Sequence, residues 1–535
     1  MKRIIALLSS AVLAASAWAD FEVYFLRHGE TPWNRAKLLQ GSVSHVDLTE
    51  KGVRMAEATA AGLQRDGIAF DRVYTSPYRR AAHTAEIVAG AQGLKPVVEP
   101  RIREMCFGKY EGTFYAKGAY ADDNLRLFFE EPEKYVPQGA GAESFDAVGK
   151  RLRGFLEDEL VPQDGKVRRI LCMAHSLVLK SLLCEMFGDN IPETAKRPIQ
   201  RNCCVHVLRY ADGKFSLKEA GRIFYDPAAF DARPEPVKVI FDTDMYTDFD
   251  DAGALACLHA LADAGECEIL ATVANTRESM SVAMCEIVNA YYGRPDIPVG
   301  CVKGLGLGND RSKMHDQRYG AAVRKYARWV KHLDSDDAPD AADVYRKVLS
   351  AQPDNSVVIC SVGFLSNMRK LMETDRELVA RKVKRWVAMA CSYPKGREYN
   401  SMKDWESSKI ALEQWPTPIV FTDFQYGRDC YAGRALAESS VEGNPVADVF
   451  RQNVASCNGA AGRSAWDETA VLIAVRGIEP YFGCERGTYR MVGTEGEDEW
   501  RPDPGSRDCR VTEAISKAEI GRVLDHLMLQ SPKRR

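Results

Sequence analysis

Two groups of side chains able to do chemistry stand in different halves of this 535-residue chain. The first comprises Arg27-His28-Gly29-Glu30-Thr31, the stretch Ser76-Pro77-Tyr78-Arg79-Arg80, Arg103-Glu104, and Ala174-His175-Ser176. It offers two imidazoles, several guanidinium forks and a carboxyl group. Guanidinium groups pair with phosphate oxygens in a bidentate fork. A neutral imidazole can attack phosphorus and carry it covalently, and a carboxylic acid can protonate the leaving oxygen. The second group opens at Asp242-Thr243-Asp244-Met245-Tyr246-Thr247-Asp248-Phe249-Asp250-Asp251, five aspartates in ten residues. Side by side these cannot all stay ionised without a compensating cation. An all-oxygen donor set favours a hard ion, Ca²⁺ or Mg²⁺. A solvated acidic turn is the plain alternative, but the run interrupts the apolar segments VKVIF and ALACLHAL, which pins it at a strand end.

The elements that must hold these groups are legible from the same stretches. FEVYFL (21–26) runs into Arg27, DRVYT into Ser76, RRILCM into Ala174, and VKVIF (237–241) into Asp242. Such apolar, β-rich runs alternate with helical patterns, which predicts parallel sheets covered by helices on both faces. Ligands then bind beyond the carboxyl ends of the strands. The expected fold class is therefore α/β, with two separate doubly wound domains, each a mainly parallel sheet flanked by helices. Length alone predicts two or three domains. The segment 226–236, DPAAFDARPEP, has three prolines and no apolar periodicity, so it reads as a linker between domains at 20–225 and 237–535.

Residues 1–19 read as a secretion leader: Met1-Lys2-Arg3, an apolar stretch from Ile4 to Ala17, and the small-x-small site Ala17-Trp18-Ala19. The expected location is periplasmic or secreted. With 45% hydrophobic and 27% charged residues the composition is globular, and a net charge of −3 gives no basic surplus for a nucleic-acid polymer or an anionic membrane. The partners expected are small-molecule phosphoesters and nucleosides, with no membrane once the leader is removed. Any self-association is expected through the second half. The fifteen cysteines include no C-x-x-C pair, and most sit in apolar runs as small hydrophobes. Cys484 and Cys509, flanking a polar stretch, are the candidates for a disulfide.

Residues 21–225 resemble the histidine phosphatase (phosphoglycerate-mutase-like) superfamily through R-H-G-E-T, S-P-x-x-R-A-x-x-T-A, R-E and A-H-S, in family order. The resemblance implies His28 as the phosphorylated nucleophile and Glu104 as the proton donor. Arg27, Arg80 and His175 would form the phosphate pocket with Asn34, and no cofactor is implied. Arg79 is out of register with the family pattern, and His83 reads as structural. Mutases share this pocket; an exported enzyme favours the phosphatase reading, here of the histidine acid type. The aromatic and acidic stretch from Thr113 to Gly141 is the expected cap.

Residues from about 236 to 530 resemble the inosine–uridine-type nucleoside hydrolases. The shared elements are D-T-D-x-x-x-D-x-D-D-A, Ala274-Asn275, Ser361-Val362-Gly363-Phe364-Leu365-Ser366-Asn367, Glu398-Tyr399-Asn400 and Trp466-Asp467. By that resemblance Asp244 is a general base and, with Asp251, Asp467 and the carbonyl of Val362, holds Ca²⁺. Asp250, Asn275, Glu398 and Asn400 would bind the ribose, and Asp242 would support the metal site from behind. The opening motif is two residues longer than the common D-x-D-P-G-x-D-D, and Asp248 is extra. Trp466 occupies the place where many relatives carry a leaving-group histidine, which points to stacking on the base. The function expected is a bifunctional hydrolase acting on phosphomonoesters and then on ribonucleosides. The alternatives are a hydrolase of another N-ribosyl compound, or one half reduced to a ligand-binding module.

Overall fold

The structure, a computed structural model, describes residues 20–117, 119–188, 190, 193, 200–231, 235–308, 316–453 and 462–533. The expected leader, residues 1–19, and residues 232–234 of the expected linker lie outside the described residues. Apart from Ala116–Ala119, the chain divides into two compact units that part between Ala232 and Arg233.

In the first unit, strand alternation sends side chains to two cores. Phe21, Val23 and Phe25 of β1 (Phe21–Arg27) pack with Leu152, Phe155, Val178 and Leu182, from the helices Phe145–Phe155 and Ser176–Phe187. Tyr24 and Leu26 pack on the other face with Met55, Leu63 and Val88, from the helices Glu50–Arg65 and Arg79–Gly90. Each such fully buried side chain contributes roughly 1.5–3 kcal/mol. The remaining strands are β2 (Arg72–Thr75), β3 (Val97–Val98), β4 (Arg169–Ala174), β5 (Cys204–Ala211) and β6 (Lys214–Ile223), in the spatial order β3-β2-β4-β1-β5-β6. The first four are mutually parallel, whereas β5 and β6 run antiparallel. Asp212-Gly213 closes the β5–β6 hairpin with φ of 51° and 77°, the left-handed pair that a two-residue hairpin turn requires. Arg27 lies opposite Ala174 and Thr75 opposite Met173, so the segments after β1, β2 and β4 emerge at one edge.

The second unit is built on a ten-stranded sheet. Its strands are β7 (Val237–Thr243), β8 (Cys267–Ala274), β9 (Val299–Cys301), β10 (Val357–Ser361), β11 (Val383–Ala388), β12 (Lys395–Gly396), β13 (Ile419–Phe421), β16 (Phe482–Val492), β17 (Glu497–Pro502) and β18 (Cys509–Glu513). β14 (Tyr431–Ala432) and β15 (Arg463–Ser464) pair separately. The order is β12-β17-β16-β18-β13-β11-β10-β7-β8-β9, parallel from β18 to β9. Trp386 is wholly buried, donates from Nε1 to Ser361 Oγ at 2.7 Å, and packs on Trp415. Asp242 lies opposite Ser361 and Val273, which brings the ends of β7, β8 and β10 to one edge. The helices Asp250–Asp263 and Trp466–Arg476 pack together, and both carry two acidic residues in the first turn. A helix N-terminus is where carboxylates are best tolerated.

The expected linker is folded at its start. A short helix, Ala228–Asp231, places Phe230 edge-on to Tyr225 and Asp231 2.9 Å from Arg201. Cys484 and Cys509 carry free thiols; Cys484 pairs with Val511 and Cys509 with Arg486, so the two are diagonal neighbours rather than directly opposed. Among the described residues no helix is long and apolar enough to cross a membrane.

Candidate active sites

In the first unit, the edge formed by β1, β2 and β4 gathers His28, Arg27, Arg80, His175 and Glu104. The rings of His28 and His175 are 5.1 Å apart. His28 is buried, and its Nδ1 lies 2.8 Å from the carbonyl of Gly29. That bond uses the Nδ1 proton and leaves Nε2 with its lone pair for attack. Burial, together with the charges of Arg80 and Arg27, holds the His28 pKa well below the usual histidine range, so the ring is neutral at physiological pH. The same causes act on His175, whose Nε2 meets Ser76 Oγ at 2.7 Å.

Four buried polar atoms here have no protein partner: Arg27 Nε, Arg80 Nε, His175 Nδ1 and Ser176 Oγ. A tetrahedral oxyanion supplies acceptors of the kind this set lacks. Arg80 is fixed by the carbonyls of Val43, Gln40 and Gly41, while Arg79 turns away to Asp47 and Glu86. Asn34 completes the capping box of the helix Pro32–Ala36, whose N-cap is Thr31, and its Oδ1 accepts from Thr31 N and Asn202 Nδ2. His83 bonds Asp47 at 2.6 Å, in keeping with a structural role.

Glu104 accepts from the N–H groups of Met105 and Leu177, at the start of the helix Ser176–Phe187. Burial pushes its carboxyl up from the usual range, against the pull of those N–H groups and of Arg80 and Arg27. A carboxyl that burial makes a weaker acid, set with a neutral imidazole, can serve as an acid–nucleophile pair. Glu104→Gln is therefore expected to cost ~10²–10⁴-fold on alkyl phosphates and far less on p-nitrophenyl phosphate, whose leaving group needs no proton. The alkaline limb of the wild-type pH–rate profile, set by loss of the Glu104 proton, should vanish with it. Equal losses on both substrates would place Glu104 outside the proton transfer.

The second site is a concave pocket in the second unit. Its lining carries the carboxylates of Asp244, Asp248, Asp250, Glu398 and Asp467, the rings of Tyr399, Phe424 and Trp466, and Asn400, Val362 and Arg463. Asp244 is set by close packing. A Cβ on Gly363 would fall 2.5 Å from Asp244 Oδ1 and 2.6 Å from Asn275 Oδ1, so only glycine fits there. Trp466 donates from Nε1 to the Phe424 carbonyl at 2.9 Å and stacks on the Phe424 ring at 5.4 Å. Its indole is half-buried on the pocket wall.

Asp242 and Asn275 work from behind the pocket that Glu398 lines. Asp242 is completely buried and accepts from Tyr345 and Asn275 at 2.6 Å and from Asn367 at 2.9 Å. Asn275 also accepts from Phe364 N, so its amide ties β7, β8 and the loop after β10 together. Glu398 caps the helix Tyr399–Lys403, taking N–H bonds from Asn400 and Ser401. Burial pushes Asp242 up to about 6, and Glu398 and Asp250 up to about 7. Burial and mutual repulsion also raise Asp244, Asp251 and Asp467 well above the carboxylate range.

This nest fits a hard cation. Asp248, Asp251 and Asp467 offer oxygens all within 4.8 Å of one another. Asp251 takes a hydroxyl bond from Thr243 on Oδ1, while its buried Oδ2 has no partner. Sequence reasoning missed Arg463, which binds Asp250 at 2.7 Å and Asp248 at 2.6 Å and lies 5.0 Å from the Trp466 ring. Its signal was present as the basic residue four positions before Asp467. Asn202 in the first site was also missed, and Ser76 and Ser176, although inside the motifs, were given no role of their own; an isolated polar residue after a strand carries no pattern.

Together these sites define an α/β protein with one phosphoryl-transfer centre and one carboxylate-lined nucleoside-type pocket. Residues 23–222 match the histidine phosphatase superfamily (branch 1), and residues 239–521 match the inosine-uridine preferring nucleoside hydrolases. The chain thus belongs to the first family through its N-terminal half and to the second through its C-terminal half. The branch matched is branch 1, which corrects the expected histidine acid type. The chain is 33% identical over 192 residues to a protein of Cronobacter sakazakii named "Probable phosphoglycerate mutase GpmB", covering 35% of this chain and 85% of the relative. A Yersinia pestis protein of the same name is 33% identical over 198 residues, covering 36% and 86%. Among solved structures, alpha-ribazole phosphatase of Shigella flexneri is 24% identical, with 38% of this chain and 98% of that chain covered and a TM-score of 0.34.

Proposed function

We propose that this chain is an exported bifunctional hydrolase, releasing phosphate from phosphomonoesters in its N-terminal half and free base from ribonucleosides, with Ca²⁺, in its C-terminal half. The observation that carries the reading is the pairing of a neutral, buried His28 and a raised Glu104 with a separate carboxylate nest beside an aromatic wall. In the first site His28 Nε2 attacks phosphorus while Glu104 gives its proton to the leaving oxygen. Water then cleaves the phosphohistidine, with Glu104 taking the proton back. In the second, Asp250, Asn400 and Glu398 orient the ribose, and Asp244 takes a proton from the attacking water as positive charge develops on the sugar. Asp251 and Asp467, which lie close together, would hold Ca²⁺ with Asp244 and the Val362 carbonyl that the resemblance implies, and the ion would orient the ribose diol and acidify water.

The two activities suit successive steps, nucleotide to nucleoside and nucleoside to base plus ribose. The segment 1–19 supports export. The test is product analysis with a nucleotide and nucleoside panel, with and without chelator, beside an assay for phosphoglycerate isomerisation. The reading expects phosphate release that survives chelator, base release that does not, and no isomerisation. Isomerisation outpacing phosphate release would make the first half a mutase.

Trp466 supports a preference for purines, since a purine offers more ring surface for stacking and can be protonated at N7. Stacking contributes ~1–3 kcal/mol per base, so Trp466→Ala should lower kcat/KM by one to two decades on inosine and adenosine and less on uridine. Equal losses on the three nucleosides would reduce Trp466 to packing against Phe424.

A further inference from the structure

The opening aspartates are differently occupied, and this decides which of them is left for a cation. Asp242 is spent on Tyr345, Asn275 and Asn367. Asp250 takes both Nε and Nη2 of Arg463, so its charge is already met by a fixed cation. Asp248 has one oxygen on Arg463 and approaches Asp251 and Asp467, with one carboxylate oxygen from each of the three inside a 4.8 Å span. Asp251, wholly buried, has Oδ2 without any partner. A buried carboxylate oxygen left bare beside two further carboxylates is strongly unfavourable unless a cation lies between them or a proton neutralises it, and a cation serves all three at once.

We propose that in this chain Asp248, carried by the lengthened Asp242–Asp251 loop, is a metal ligand alongside Asp251 and Asp467, and that Arg463 balances the extra charge by holding Asp248 and Asp250. The inference rests on the reading that this pocket holds a divalent cation. It adds a carboxylate that the shorter form of the motif lacks, and it explains why an arginine sits inside an acidic nest. Arg463 is a positioning residue here. Its guanidinium is braced by the rings of Phe249 and Trp466, each 5.0 Å away, so it cannot follow Asp248 freely.

The test is calorimetric titration of the full-length protein with Ca²⁺ alone, in wild type, Asp248→Asn and Asp248→Glu, with circular dichroism to verify folding. Asp248→Asn should bind Ca²⁺ at least ~10-fold more weakly, by analogy with the ~10–100-fold cost of losing groups around a metal, and Asp248→Glu should recover part of the loss. The Ca²⁺-induced rise in Tm should shrink in the same order. A folded Asp248→Asn that binds Ca²⁺ like wild type overturns the assignment, even where wild type cleaves nucleosides. Wild type that binds Ca²⁺ through Asp248 but cleaves no nucleoside overturns the functional reading and leaves the ligand assignment standing. Wild type that binds no Ca²⁺ overturns both.

Discussion

His28→Ala is expected to lower phosphomonoester turnover by ~10⁴-fold or more, the scale seen when a covalent nucleophile is removed, while nucleoside hydrolysis stays within about twofold of wild type. The first half of that expectation follows from the tautomer. With Nδ1 bonded to the Gly29 carbonyl, Nε2 is the atom that meets phosphorus, and no other ring in the pocket stands in the same relation. His175 is engaged by Ser76 through Nε2 and is placed to bind phosphate rather than replace the nucleophile. The second half follows from the separate cores: among the described residues, the apolar clusters under β1 contain no residue of the second sheet. Rapid quench of wild type with labelled phosphoester should trap acid-labile label on His28. Loss of both activities in a folded His28→Ala protein would show that the two halves do not work independently.

The parts of this protein that sequence reasoning reached are those where chemistry and chain order coincide. His28, Ser76 and His175 each follow directly on an apolar strand and Asp242 lies at the end of another, so their placement at sheet edges was implied by the strands themselves. What it missed depends on contacts between segments distant in the chain. Asn275 and Glu398 read as ribose ligands, yet the structure also spends them on joining loops, because a buried Asp242 and an unfilled helix N-terminus need donors and acceptors first. Arg463 is separated from Asp248 by 215 positions, and nothing in either local pattern announces the pair. The two-residue lengthening of the acidic motif and the need to neutralise its five carboxylates were visible, but the part Arg463 takes in that neutralisation appears only when the loop is folded.

Asp467→Asn is expected to remove hydrolysis of inosine, adenosine and uridine alike, by ~10³-fold or more in kcat/KM, and to melt at a higher temperature than wild type when both are measured in chelator at pH 7–8. The second effect follows from linkage. Burial, then the charges of Asp250, Asp251, Asp248 and Asp244, raise the Asp467 carboxyl well above its ordinary value near 3.8. Between the unfolded pKa of about 3.9 and the raised folded one, the folded chain binds a proton that the unfolded chain does not. Stability therefore falls as pH climbs through that window. Asp250 and Glu398, pushed up to about 7, act in the same direction. Metal-free wild type should thus lose stability steadily from about pH 4 to pH 7, and an uncharged amide in place of the Asp467 carboxyl group should lessen the loss. Adding Ca²⁺ should invert the order, because a ligand that binds only the folded state stabilises it by mass action, and the variant has lost one of the carboxylates that hold it. Melting curves with and without Ca²⁺ over pH 4–8 separate the two roles of this residue. A variant less stable than wild type in chelator, yet equally stabilised by Ca²⁺, would reduce Asp467 to a carboxylate favoured in the first turn of the helix Trp466–Arg476 and leave the metal to its neighbours.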